Sequence, residues 1–332
     1  MADLFEYIAP PELIRTSTRE DRFEKRVSNW ITPWDGKEQF DAGLLMIPFG
    51  KAALSGASGV ALAPNALRQA FVMNTTYSPD FDVDLQSLRV RDLGDVRMHT
   101  TDIALCHSNI KHASIELYER AGDVLAVSVG GDHSITRPLL EGYTESHPGR
   151  KFGLIYFDAH NDVRDLEQGG PTNGTPVRGI IEGPAAVEGR NIAQIGIHGF
   201  MNSSHYKKYC DEMGIHIFTA RQVHKRGIEE VMQEALAIAS EGTDGIYVSV
   251  DIDVLGLPYA FGTGAATVEG VNAWDLLEAM FLLGKNPMVR AMDLVCMDPL
   301  RDFKDHTFRM GASIILTFLG GYVIRKTGGR GY

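Results

Sequence analysis

Short apolar runs alternate with longer amphipathic stretches along most of this chain. The runs are "GLLMIPF" (43–49), "VLAVSVGG" (124–131), "FGLIYFD" (152–158), "IAQIGIHG" (192–199), "IHIF" (215–218), "GIYVSVDID" (245–253) and "VRAMDLVCM" (289–297). Between them lie helical patterns at 112–122, 228–242, 273–284 and 306–321. Strands that are apolar on both faces and alternate with helices predict an α/β fold: a three-layer α/β/α sandwich around a mainly parallel sheet. Residues 1–40 are mixed, polar and Pro-bearing. They predict an arm packed on the domain or on a neighbouring subunit, with residues 41–332 forming one domain.

In open α/β sheets, sites form outside the carboxyl ends of the strands. Three of the predicted ends carry metal-ligand chemistry. "GGDHS" places His133 after two glycines, "FDAHND" supplies Asp158, His160 and Asp162, and "SVDID" supplies Asp251 and Asp253. Alternate residues of an extended chain share a face, so the spacing within each motif is expected to gather its side chains. Four carboxylates and two imidazoles brought together would be costly to desolvate without cations. Such a set can hold two divalent ions with bridging carboxylates. Its oxygen-rich character suits Mn2+, and the imidazoles leave Ni2+, Co2+ or Zn2+ open. Two ions sharing a water imply hydrolysis at an electrophilic carbon or phosphorus.

Composition narrows the partners. The 332 residues are 44% hydrophobic, enough for a large core. The formal net charge of −11 argues against nucleic acid and anionic membrane surfaces as partners. No secretory signal pattern opens the chain, and no run reaches the roughly 18 apolar residues of a membrane span. Cys106, Cys210 and Cys296 are few and widely spaced, which fits buried, reduced thiols and a cytoplasmic location.

The motifs "GGDHS", "FDAHND" and "SVDIDVLGLPYAFGTG", in this order and spacing, resemble those of the ureohydrolases, the arginase and agmatinase group. A Gly-rich loop at 47–68, "GTPVRGIIEG", "VRAMDLVCMDPLRD" and "HTFRMGASIILTFL" extend the resemblance over roughly residues 40–320. It implies that His133, Asp158, Asp162 and Asp251 hold one ion, and that His160, Asp158, Asp251 and Asp253 hold the other. It also implies a bridging hydroxide, oriented by Asp162, that attacks a guanidinium carbon to release urea and an amine. Assembly as homotrimers or hexamers is the matching expectation.

Four departures bear on the substrate. Asn173 stands where many members carry a proton-shuttling histidine, and an amide exchanges no proton near neutral pH. Gly256 and Phe261 make the loop after Asp253 less acidic and more apolar, with Phe261 and Tyr259 either pocket wall or packing. Asp275 is the nearest acid to the position of a guanidinium-binding glutamate, beside Trp274. Val163 and Arg164 do not look like a set that binds an amino-acid head, and His198 at another strand end could line the pocket. Together these favour a small or N-substituted guanidino compound over arginine: guanidine, an alkylguanidine, a guanidino acid, agmatine, or a biguanide such as metformin. Some members that act on such compounds use nickel. Two other readings stay open. One is a non-catalytic or partner-dependent subunit working with a paralogue, and the other is a deacetylase-like amidohydrolase.

Overall fold

The computed structural model describes residues 5–19, 21–54 and 59–329. The Ser55–Ser58 part of the predicted Gly-rich loop lies outside them. Eight parallel strands form the body of the sheet: β1 Ala42–Met46, β2 Val90–Val96, β3 Leu125–Val129, β4 Phe152–Phe157, β5 Ile192–Ile197, β6 His216–Thr219, β7 Gly245–Asp251 and β8 Val289–Val295. Their spatial order is β2-β1-β3-β8-β7-β4-β5-β6. The chain therefore leaves β3, builds the far half of the sheet from β4 to β6, and returns to fill the gap with β7 and β8.

Among the described residues, nine helices of at least seven residues flank these strands: α1 Ala63–Ala70, α2 Ile103–Ala121, α3 Thr136–Ser146, α4 Pro176–Glu182, α5 Ser204–Met213, α6 Ala220–Arg226, α7 Ile228–Ser240, α8 Ala273–Lys285 and α9 His306–Thr327. α2, α3 and α4 pack in succession, and α1, α9, α8 and α7 form a second connected layer. The sheet lies between the layers, its strands almost wholly buried. By length and composition α9 could cross a membrane, but 67% of its most apolar window is buried inside the fold, so its apolar character serves the core.

β2 carries no apolar run in the sequence, because Arg91, Asp92 and Asp95 interrupt "VRDLGDV". Its acids are satisfied from outside the strand. Arg68 of α1 reaches Asp92 at 2.7 Å and Asp95 at 2.9 Å, all three side chains being buried. This pairing makes a charged sequence tolerable in a buried strand. The N-terminal segment covers the same edge. Ile8–Ala9 pairs antiparallel with β2, Thr32–Pro33 pairs parallel with it, and Glu116 of α2 accepts from the backbone N–H groups of Glu6 and Tyr7.

Candidate active site

Four adjacent strands, β3, β8, β7 and β4, end level with one another. Val129 pairs with Leu294, Val295 with Asp251, and Val250 with Phe157. The three ligand motifs leave from three of these ends. Each opens with an aspartate that accepts a hydrogen bond from the N–H two residues on: Asp132 from Ser134 (3.1 Å), Asp158 from His160 (2.6 Å) and Asp251 from Asp253 (2.9 Å). The spacing of two is thus that of a side-chain-capped turn. This corrects the expectation of an extended, alternating strand end. β4 stops at Phe157, and Asp162 has a left-handed φ of +51°. Asn161, Gln194 and Asn202 brace the turn. The Asn161 amide donates to Gln194 at 2.8 Å, and Asn202 donates to the Ala159 carbonyl at 2.8 Å. At the first motif, a Cβ on Gly131 would come within 1.3 Å of the Phe49 carbonyl oxygen, so only glycine lets the β1 loop cross there.

The turns bring all six predicted ligands together. Around Nδ1 of the fully buried His133 stand Asp158 Oδ2 at 2.9 Å, Asp251 Oδ2 at 3.1 Å and Asp162 Oδ2 at 3.4 Å, with the Tyr156 hydroxyl at 3.0 Å. His160 Nδ1 lies 3.0 Å from Asp158 Oδ1 and 3.3 Å from Asp253 Oδ2. Asp158 thus faces both imidazoles. Its Oδ2 is buried without a hydrogen-bond partner.

The far side of His133 fixes its chemistry. Ser249 Oγ donates to Asp293 at 2.6 Å, so it accepts from His133 Nε2–H at 2.8 Å. Nδ1 is therefore the atom turned toward the acids. A single hydrogen there could serve one of the three surrounding carboxylate oxygens, whereas a cation serves them all. The orphaned Asp158 oxygen and the carboxylate–serine–histidine support behind the ring fit a metal centre. So does the electrostatics. Burial and the Asp158 charge push Asp162 up to about 8. Burial and the Asp251 and Asp158 charges hold Asp253 well above the carboxylate range. Burial pulls His160 down, but Asp253 and Asp158 outweigh it and push the imidazole up to about 12. The cluster demands positive charge.

Beside the cluster lies a cavity of about 490 Å³. Asn173 is in its wall, but its side-chain oxygen accepts from Leu54 N–H at 2.8 Å and its own N–H donates to the Ala52 carbonyl. It clamps the β1 loop. Two predicted residues are not brought to the cavity wall. His198 is tied by both ring nitrogens, to the Gly196 carbonyl at 2.5 Å and Thr267 Oγ1 at 2.6 Å. It joins two loops. Asp275 sits in the first turn of α8, where the Asn272 side chain caps its N–H at 2.8 Å and donates to its carboxylate at 2.6 Å. Its neighbour Trp274 is 60% exposed on the surface. Phe261 stacks on His306 at 5.0 Å, which makes it packing. A Cβ on Gly256 would meet the Val268 carbonyl oxygen at 3.0 Å, a close approach that leaves little room for a side chain there.

The cluster and the cavity wall also include residues that the sequence did not single out. Tyr156, stacked on His133 with ring centroids 4.5 Å apart, donates to Asp162 at 2.7 Å. Cys296, treated above as a structural thiol, lines the wall. Arg164, set aside above, lines it too, with its guanidinium carbon 5.6 Å from the centre of the Tyr206 ring.

The family model described as the Arginase family matches residues 40–320. The chain belongs to the arginase family. A formimidoylglutamase of Halalkalibacterium halodurans is 39% identical, the match covering 93% of this chain and 95% of that protein. The solved structure of formimidoylglutamase from Bacillus subtilis superimposes with a TM-score of 0.87 at 33% identity, covering 92% of this chain and 94% of that one. A Trypanosoma cruzi formiminoglutamase solved with Mn2+ shares the fold, with a TM-score of 0.81 at 21% identity over 91% of this chain and 99% of that one. This chain is accordingly an arginase-family hydrolase, and its mostly parallel sheet with helices on both sides is the arginase fold.

Proposed function

We propose that this arginase-family enzyme hydrolyses the C–N bond of an amidine carried by a small acidic molecule, with an N-formimidoyl amino acid such as formimidoylglutamate as the leading substrate. The observation that carries this reading is Arg164. It stands in the cavity wall with its stem over Gly174, where a Cβ would come within 2.7 Å of the arginine Cδ, and its guanidinium beside Tyr206. It makes no ion pair with any described residue. An arginine fork left free in a cavity is suited to a carboxylate. The carboxylates lining the cavity are Asp132, Asp162, Asp251 and Asp253. Asp132 is committed to Ala52 and Ser134, and the others are ligand candidates. None is left to pair with the outer nitrogen of a guanidinium, whereas a formimidoyl carbon bears hydrogen there. The names of the similar formimidoylglutamases agree with this chemistry.

His133, Asp158, Asp162 and Asp251 would hold one divalent ion, and His160, Asp158, Asp251 and Asp253 the other. Mn2+ is favoured over Ni2+ by the carboxylate majority and by the Mn2+ of the Trypanosoma neighbour. When bound, the ions supply Lewis acidity that lowers the pKa of water to near neutral. Tyr156 holds Asp162 against the cavity, where its carboxylate can take a proton from water and return it to the leaving amine. Arg164 holds the acid end of the substrate and sets its distance from the cluster. Water adds to the amidine carbon and the C–N bond to the amine breaks, giving formamide and the amino acid. A guanidino acid would give urea and its own parent amine, and it remains the second reading because Arg164 would serve it equally.

The test follows products by NMR, with the purified chain loaded with Mn2+. The panel includes formimidoylglutamate, formimidoylaspartate, guanidino acids, methylguanidine, agmatine, arginine and metformin. Formamide from the formimidoyl acids is the expected result. Urea from cationic or uncharged guanidino compounds, at an efficiency equal to that of the acids, would overturn the reading.

A further inference from the structure

The cavity wall holds a buried hydroxyl that the fold leaves unpaired. Thr263 lines the cavity together with Asp251 and Asp253, is only 4% exposed, and its Oγ1 has no hydrogen-bond partner among the described residues. The backbone beside it is fully committed. The Gly262 carbonyl accepts from the Asp298 N–H at 2.7 Å, and the Gly262 N–H donates to Thr307 Oγ1 at 2.8 Å. A Cβ on Gly262 would come within 2.7 Å of the Asp302 side chain, so the loop is also closely packed. These contacts fix Thr263 near the end of β8 and leave its hydroxyl unspent. A buried hydroxyl without a partner is costly, and each one calls for an explanation. The other orphaned atoms have one. Asp158 Oδ2 faces the ligand cluster, Arg178 and Arg290 reach Asp165 and Asp123 through another nitrogen, and Tyr143 borders an internal cavity of about 10 Å³, the size of one water. Of these residues, Thr263 is the one in the wall of the 490 Å³ cavity.

We propose that Thr263 determines specificity, its hydroxyl accepting a hydrogen bond from the terminal nitrogen of the substrate's amidinium. The proposal rests on the amidine-hydrolase reading above. Like a guanidinium, a charged amidine offers N–H donors and no acceptor. The cavity carboxylates are committed, Asp132 to its turn and Asp162, Asp251 and Asp253 to the cluster, which suits a neutral hydroxyl to the task. A turn about the Cα–Cβ bond of threonine exchanges hydroxyl and methyl within nearly the same volume, so the oxygen can meet a bound molecule without repacking of the wall. The terminal nitrogen is the one that stays on formamide when the C–N bond to the amine breaks. Thr263 thus holds the retained end of the amidine and Arg164 the acid end, with the scissile bond between the two holds. A terminal nitrogen bearing two alkyl groups has no hydrogen to offer and loses this contact.

The experiment compares the natural chain, loaded with Mn2+, with Thr263→Val, which replaces the hydroxyl by a methyl of similar volume, and Thr263→Ser, which keeps it. The readouts are kcat/KM on formimidoylglutamate, inhibition by the product glutamate, bound metal and melting temperature. Thr263→Val should lose roughly 10- to 100-fold in kcat/KM, the range of a hydrogen bond to a charged group. Its metal content and its inhibition by glutamate, which lacks the amidine, should be unchanged. Its melting temperature should be equal or higher, because an unpaired buried hydroxyl has been removed. Thr263→Ser should recover most of the activity. Unchanged kcat/KM in Thr263→Val, an equal loss in Thr263→Ser, or weaker inhibition by glutamate would overturn the proposal. A Thr263→Val chain that melts lower or fails to fold would make the hydroxyl structural and overturn it as well. No formamide from the natural chain would overturn the amidine-hydrolase reading itself, and this proposal with it.

Discussion

Replacing Arg164 with methionine removes a charge while keeping a stem of similar bulk over Gly174 and beside Tyr206. If the guanidinium holds the acid end of the substrate, the loss is that of a hydrogen bond to a charged group, about 1.5–3 kcal/mol. Arg164 is exposed at the cavity wall, so solvent screening puts the effect at the lower end. About 1.5 kcal/mol corresponds to roughly a tenfold fall in kcat/KM, expressed mainly as a higher KM because the contact is made equally in ground and transition states. Arg164→Lys keeps the charge but not the planar fork or the ring contact, and should fall between the two. The assay is amine release from a formimidoyl amino acid, run beside an uncharged N-alkylformamidine on each variant. The uncharged compound should be equally poor with all three proteins. An equal loss on both substrates, or no loss on the acid, would refute the role given to Arg164.

Ser249→Ala removes the acceptor that fixes the far nitrogen of His133 at 2.8 Å. A loss of support of this kind lowers metal affinity about 10–100-fold, to be read by chelator competition, and unchanged affinity would show that the ring needs no such anchor. Asp275→Asn should leave kcat/KM within about twofold, the range of a surface change of about 0.5 kcal/mol. A large loss in a folded variant would restore Asp275 to the substrate site. His107 is buried near Arg137, and together these pull its pKa from 6.5 down to about 4. Below pH 6.5 the unfolded chain takes up a proton that the folded chain refuses until about pH 4, so stability falls with pH through that window, by at most about 3 kcal/mol. His107→Gln, which keeps a donor toward Ser134 Oγ, should flatten this slope in urea midpoints measured at pH 7 and pH 5.

The sequence by itself determined the α/β architecture, because strands buried on both faces must be written in apolar residues and their spacing by helices imposes a parallel sheet. It also singled out the six residues that the structure gathers into one cluster, since acids and imidazoles at strand ends answer to few other purposes. It did not reveal β2, whose acids are made tolerable by Arg68, a residue more than twenty positions away. Nor did it distinguish a strand-end alternation from the capped turns that hold Asp158 and His160, or Asp251 and Asp253, because both give a spacing of two. Which side chains stand around the ligands was decided only by tertiary structure. Cys296 reaches the cluster because β8 is inserted between β3 and β7, and the late return of the chain leaves no local trace in its residues. Asp275 and His198 were plausible by chemistry and position. Hydrogen bonds to Asn272 in one case, and to Gly196 and Thr267 in the other, commit them elsewhere. Arg164 is the converse: an ordinary surface residue in sequence, it becomes a candidate anion site because the turn at Gly174 and the ring of Tyr206 are folded beside it.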